Sequence, residues 1–259
     1  MTTHGEPSNR EGYTRGMHRP GRSIAVLAAA AFAAAVHAAP SAELLDLAGR
    51  VHYGFYHAEP AAIETALAGL ERLAESREVT YYRDFAALRR AQLGGADRAG
   101  RERLKACASR DIALSGDKRV AAEGWVLVAA CADVGGDDNR RTQALARARA
   151  LDADNPRIAL VEAWALRRAA GADAARRAEA ERRLAQAADA FDAWTPSLDD
   201  PDWGHAEALT ALAALALERG EARRARDLIE RALLLAPGYR TALDLQTALQ
   251  GARASSPAP

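Results

Sequence analysis

From Ser41 onward the apolar residues of this chain recur three and four positions apart, and each apolar stripe is interrupted by Gly, Pro or a cluster of Asp and Asn. That spacing places the apolar side chains on one face of a helix, whereas a half-buried strand needs strict alternation, and no stretch alternates for long. The pattern predicts helices over 41–57, 60–75, 78–93, 98–113, 119–133, 139–151, 156–170, 172–193, 204–219, 221–235 and 239–250, and no sheet.

The interruptions have the right chemistry for helix ends. Pro60 and Pro156 suit first helical turns, where a missing N–H costs nothing. Gly94-Gly95, Gly135-Gly136, Gly171 and Gly220 suit the closing residues. Short connections between helices of three to five turns imply antiparallel neighbours packed in chain order. The last residues, GARASSPAP over 251–259, are polar and contain Pro, and are expected to form a flexible tail.

The array carries a period. A unit of about 34 residues with large side chains at positions four, seven, eleven and twenty-four, small ones at eight, twenty and twenty-seven, and Pro at thirty-two describes two helices that approach closely through small residues. A unit beginning at Ala206 places Leu209, Leu212, Ala213, Ala216, Ala225, Ile229, Ala232 and Pro237 at those positions, with only Ala216 undersized. A unit beginning at Ala122 supplies Trp125, Val128, Ala129, Leu145 and Ala148, and departs at Ala132, at Arg141 and at Ala153, which stands in place of Pro. Arg141 is too large for a close contact, which predicts a tilted second helix there.

On these residues the chain resembles the tetratricopeptide-repeat family, closely over 206–239, fairly over 122–155, and by period alone elsewhere. The resemblance implies an all-α, right-handed helical-hairpin solenoid of about five hairpins over 39–250, closed by a capping helix at 239–250. It also implies a concave groove lined by positions two, five, nine, twelve and thirteen of each unit. In the 156–205 unit those are Arg157, Leu160, Trp164, Arg167 and Arg168; the flanking units add Glu123, Val126 and Ala130 on one side and Glu207, Thr210 and Ala214 on the other. Glu123, Arg157, Leu160, Trp164, Arg167, Arg168, Glu207 and Thr210 are therefore the candidate partner groove. The family's Asn and Lys clamp for a peptide carboxylate is absent.

The 156–205 unit exceeds the repeat length. Its excess lies in a long helix and in TPSLDDPD, residues 195–202, which cannot continue a helix and is bracketed by Trp194 and Trp203. The two large aromatics are expected to pin an ordered excursion that widens the groove beside Trp164, with Asp202 capping the helix that follows.

Residues 24–36 read IAVLAAAAFAAAV, preceded by Arg15, Arg19 and Arg22 and followed by Val36-His37-Ala38. A basic flank, a short apolar run and small residues before a cut make a secretory signal peptide, with cleavage expected after Ala38 and the mature chain periplasmic or secreted. The run is shorter than the roughly 20 apolar residues a membrane-spanning helix requires. Met17 offers an alternative start with a more usual leader.

Composition changes the picture only by exclusion. The chain has 35 Lys+Arg and 35 Asp+Glu, a charged fraction of 27% and a hydrophobic fraction of 49%, which is globular composition without the uncompensated basic surface that nucleic acid requires. Almost all the cations are Arg, Lys occurring only at Lys105 and Lys118.

Candidate chemistry is sparse. His52 and His57 stand about 140° apart around a helix, so they do not share a face as two metal ligands would. No CxxC, HExxH, phosphate loop or GxSxG motif occurs, and no cofactor, metal or catalytic centre is expected. The aromatics of HYGFYH at 52–57 and Tyr81, Tyr82 and Phe85 read as core packing. Two cysteines, Cys107 and Cys131, leave a disulfide open: an even count in an exported chain points to a bond. Against it, continuous helices on either side of a turn near 116 would leave an axial offset of roughly 9 Å between them. The sequence thus points to a non-enzymatic scaffold for a protein or peptide partner of unknown identity. Its alternatives are an assembly factor docking on envelope complexes through its edges, and an enzyme accessory subunit.

Overall fold

The computed structural model describes residues 41–113, 116–195 and 201–254, with side chains to 251; the expected leader and its cleavage site lie outside the described residues. Among those residues there are eleven helices and no strand: α1 (Ala42–Tyr56), α2 (Pro60–Leu70), α3 (Arg77–Gln92), α4 (Arg98–Ser109), α5 (Lys118–Gly135), α6 (Asp138–Leu151), α7 (Pro156–Ala170), α8 (Ala174–Ala193), α9 (His205–Glu218), α10 (Ala222–Leu235) and α11 (Arg240–Ala254).

Most helices begin at a side chain that satisfies an otherwise unpaired N–H of the first turn. Ser41 accepts from Leu44, Ser76 from Val79, Asp97 from Gly100, Asp137 from Arg140 and Asp173 from both Ala175 and Arg176. Pro60 and Pro156 occupy first turns. Gly136 closes α5 in the left-handed conformation at φ 79°.

Three ends differ from the pattern-based reading. α2 stops at Leu70, α11 runs on to Ala254 through part of the expected tail, and α4 stops at Ser109 instead of near 113. The last difference has a physical cause. Arg110 is extended, at φ −63° and ψ 140°, and its guanidinium pairs with Asp84 on α3. The carbonyls of Ala108 and Arg110 accept from Arg140 on α6, and Ile112 lies against Gly124 of α5. Residues 110–113 therefore leave the helix and lie along α5, and an extended residue such as Arg110 covers about twice the distance that a helical one would. The offset calculated from continuous helices disappears, and Cys107 and Cys131 are joined in a disulfide with their Cα atoms 6.0 Å apart.

Helices pack in order, α1 on α2, α3 on α4, α5 on α6, α7 on α8 and α9 on α10, followed by α11 against α9 and α10. In the 206–239 unit, Leu209, Leu212, Ala213, Ala216, Ala225, Ile229 and Ala232 are all buried. In the 122–155 unit, Trp125, Val128, Ala129, Leu145 and Ala148 are buried likewise. Its oversized Arg141 is accommodated by sending the guanidinium to Asp133 and Asp138, while Ala144 and Ala148 make the close face of α6.

The odd-numbered helices form an inner row: α1 packs on α3, α3 on α5, α5 on α7 and α9 on α11. Between α7 and α9 close backbone packing is missing, and α9 rests chiefly on α8 and α10. The row curls until its ends meet. The Tyr56 and Tyr239 rings are 5.0 Å apart, and the Tyr56 hydroxyl donates to Glu207 across 151 positions of sequence.

Candidate functional site

The curl brings charged and aromatic residues of distant helices to one centre. Arg89 of α3 is fully buried. Its guanidinium pairs with Glu207 of α9, donates to Gln92 Oε1 at 2.9 Å, and stands over the rings of Phe55, Phe85 and Trp203 at 4.0, 4.7 and 5.2 Å. Glu207 accepts further from Tyr56 Oη at 3.2 Å and from the Gly204 N–H at 2.8 Å. Burial pushes its pKa up, but the charge of Arg89 and the backbone N–H groups of Glu207 and Gly204 outweigh burial and hold it below the usual carboxylate range.

A second buried pair adjoins the first. Arg157, at the start of α7, donates to Glu123 at 2.8 Å, to the Trp203 carbonyl at 2.9 Å and to the Pro201 carbonyl. Glu123 also accepts from Asn155 Nδ2 at 2.7 Å. The Trp203 ring is 6.1 Å from Trp164 and 5.9 Å from Phe85, and its Nε1 donates to Tyr81 Oη at 2.9 Å. Trp203 thus fills the opening left between α7 and α9.

The expected excursion is therefore anchored at its Trp203 end, whose ring lies 6.1 Å from that of Trp164. Trp194 terminates α8 with Arg119 over its ring at 4.2 Å; residues 196–200 lie outside the described residues. Asp202 is exposed and does not cap α9. The cap position belongs to Gly204, at φ 107°. A Cβ there would come within 2.6 Å of the Phe191 ring and 3.0 Å of Leu160, so both conformation and space demand glycine.

Of the eight candidate groove residues, Glu123, Arg157, Leu160, Glu207 and Thr210 are buried, the three charged ones within this network. Trp164, Arg167, Arg168 and Thr210 line a cleft of about 550 Å³, with Glu207 at its base. The C-terminal ends of α1 and α3 and the side chains of Tyr239 and Leu245 complete its walls. Asp133, near the end of α5, is 1% exposed and bonds Arg168 and Arg141 through Oδ1. Thr210 is 3% exposed. A smaller cavity of about 360 Å³ lies at the Glu123 and Pro201 end of the network, against Tyr81, Tyr82 and Ile112.

Sequence reasoning passed over Arg89, Asp133 and Tyr239. Asp133 was within reach, since it is position twelve of the unit that starts at Ala122. Arg89 carries no such mark; it is one arginine among many, and only the fold buries it. Of the aromatics of 52–57 and 81–85, Phe55, Tyr56, Tyr81, Tyr82 and Phe85 pack in or against the core, partly against cations instead of one another, whereas Tyr53 is 48% exposed and departs from the core reading. His52 packs 5.0 Å from Phe85 and His57 4.1 Å from Tyr53, and among the described residues no cluster of His, Cys, Asp and Glu could hold a metal ion. No described helix is long and apolar enough to cross a membrane. Comparison of the chain with protein-family models and with curated proteins gives no match.

Proposed function

We infer that this chain is an exported, non-enzymatic scaffold of the tetratricopeptide-repeat type that holds a protein or peptide segment in the cleft beside Trp164. The observation that carries the reading is the meeting of Trp164, Arg167, Arg168 and Thr210, four residues at groove positions of two repeat units, around one open cleft of about 550 Å³. That volume lies in the range of ligand-binding clefts, and Trp and Arg are the residues most often dominant in binding energy. Binding is favoured over turnover because Glu207 is paired with Arg89, and a carboxylate held below the usual range is poorly matched to proton transfer near neutrality. Export is supported by the leader-like succession at 15–38 and by the Cys107–Cys131 bond, which belongs to an oxidising compartment.

A second reading rests on exposed apolar side chains away from the cleft. Leu234 is 83% exposed, Leu45 54% and Leu235 52%, a composition suited to docking through an edge. Photo-crosslinking residues placed singly at Thr241, which is exposed at the cleft, and at Leu45 and Leu234 separate the two. We expect a polypeptide adduct from position 241 in envelope-fraction protein whose intact mass begins at Ala39. Adducts from 45 and 234 with none from 241 would replace the groove by the edge, and an intact leader would remove export.

A further inference from the structure

Two side chains of the cleft are buried and carry a polar atom that the described residues leave unpaired. Among the described residues Thr210 Oγ1 has no hydrogen-bond partner, and Asp133 has its Oδ1 engaged by two guanidiniums while Oδ2 has none. A buried polar atom without a partner is a cost to the fold that cores ordinarily avoid. Packing does not demand it at 210, because valine fills nearly the same space without the hydroxyl. As the partner of two guanidiniums, Asp133 presents Oδ2 as an acceptor, and a hydroxyl can donate or accept. The cleft therefore lacks at least one N–H or O–H donor. At its mouth Arg167 is exposed and forms no ion pair or hydrogen bond among the described residues. Trp164 supplies an aromatic wall, backed by Trp203.

We propose that the cleft takes an extended polypeptide segment carrying an aspartate or glutamate beside a bulky apolar residue. Asp133 Oδ2 and Thr210 Oγ1 are closed to solvent, so seating the segment parts the side chains over them: a backbone N–H then donates to Asp133 Oδ2, a second backbone group pairs with Thr210 Oγ1, the apolar side chain lies on Trp164, and Arg167 holds the acidic side chain. An extended backbone offers donors and acceptors at the regular spacing these partners require, and a guanidinium matches a carboxylate in charge and shape. The proposal rests on the reading of this cleft as the binding face.

Acetylated, amidated and fluorescently labelled hexapeptides Gly-Gly-Phe-Xaa-Gly-Gly, with Xaa as Glu, Gln or Lys, test it against the full chain by fluorescence polarisation. We expect the Glu peptide to bind roughly tenfold more tightly than Gln, and Lys to be weaker still. Methylation of its backbone nitrogens abolishes binding. Arg167→Gln erases the preference for Glu. Thr210→Val weakens binding by roughly fivefold or more, while the thermal midpoint stays or rises, an outcome that a merely structural threonine would not give. Equal affinity for Glu and Lys, unchanged affinity in Thr210→Val, or no saturable binding by any peptide at about 1 mM overturns the proposal. So does capture of small amines or polyols in place of peptides. Crosslinks from position 241 that persist under any of those results leave the cleft as the binding face and remove only the chemistry assigned to it.

Discussion

Arg89 and Arg157 are the same residue type as the chain's surface arginines, yet each is sealed among aromatic rings with one carboxylate partner. Removing either partner alone would strand a buried charge, which typically costs 3–5 kcal/mol. His52 senses the same centre. Burial, with the charge of Arg89, lowers its pKa to about 4, whereas an imidazole in the unfolded chain titrates near 6.5. Between those values the unfolded state binds a proton that the folded state refuses, so stability falls as pH drops from about 6.5 to about 4 and levels off below. The loss from this group is at most about 3 kcal/mol. Glu207 adds a loss at lower pH, because its depressed pKa contributes stability that vanishes as pH falls through the folded value. We expect His52→Asn to flatten the dependence of the denaturant midpoint on pH between 4 and 6.5. An unaltered slope would place the sensitivity elsewhere.

At the scale of the element, the repeat pattern decides how closely paired helices approach. Ala225 and Ala232 face α9 from α10 and are fully buried, at the positions where the period demands small side chains. Replacing either by Leu should overpack the α9–α10 contact and cost about 1–3 kcal/mol. Urea denaturation of both variants checks this, and midpoints unchanged from the parent would mean that the register of the 206–239 unit is misassigned. The same periodicity located nearly every helix end, because Ser, Asp, Pro and Gly act locally on the backbone. It failed after Ser109, where a pairing with Asp84 on another helix and the packing of Ile112 on Gly124 draw the chain straight. No local rule contains those partners.

Linear repeat arrays unfold in nearly independent steps because each unit touches only its neighbours. Here Arg89–Glu207, Tyr56–Glu207 and Tyr81–Trp203 tie the first two helix pairs to the fifth. These ties should make unfolding a single transition. Trp203 stands among them, touching Phe85, Trp164, Tyr81 and both buried arginines. Trp203→Ala should cost roughly 3–5 kcal/mol. It should also split the transition, with amides of α1–α4 exchanging hydrogen well before those of α9 and α10. Uniform exchange in the variant would show that the curl holds without this side chain.

The distribution of apolar, small and cap-forming residues determined by itself that the chain is helical, where most helices begin and end, and which positions are tightly packed. Those properties depend on neighbours a few residues away. The sequence also placed Trp164, Arg167, Arg168 and Thr210 on one inner row, since a repeat register carries over from unit to unit. How far the row curls is a different kind of quantity, the sum of small rotations between successive pairs interrupted by one long excursion. Only the tertiary structure decided that the curl closes, so that Glu123, Arg157 and Glu207 are consumed in its centre and Trp203 fills the space between α7 and α9. It likewise brought Cys107 to Cys131, because a stretch of extended chain changes distance in a way that helical periodicity cannot express.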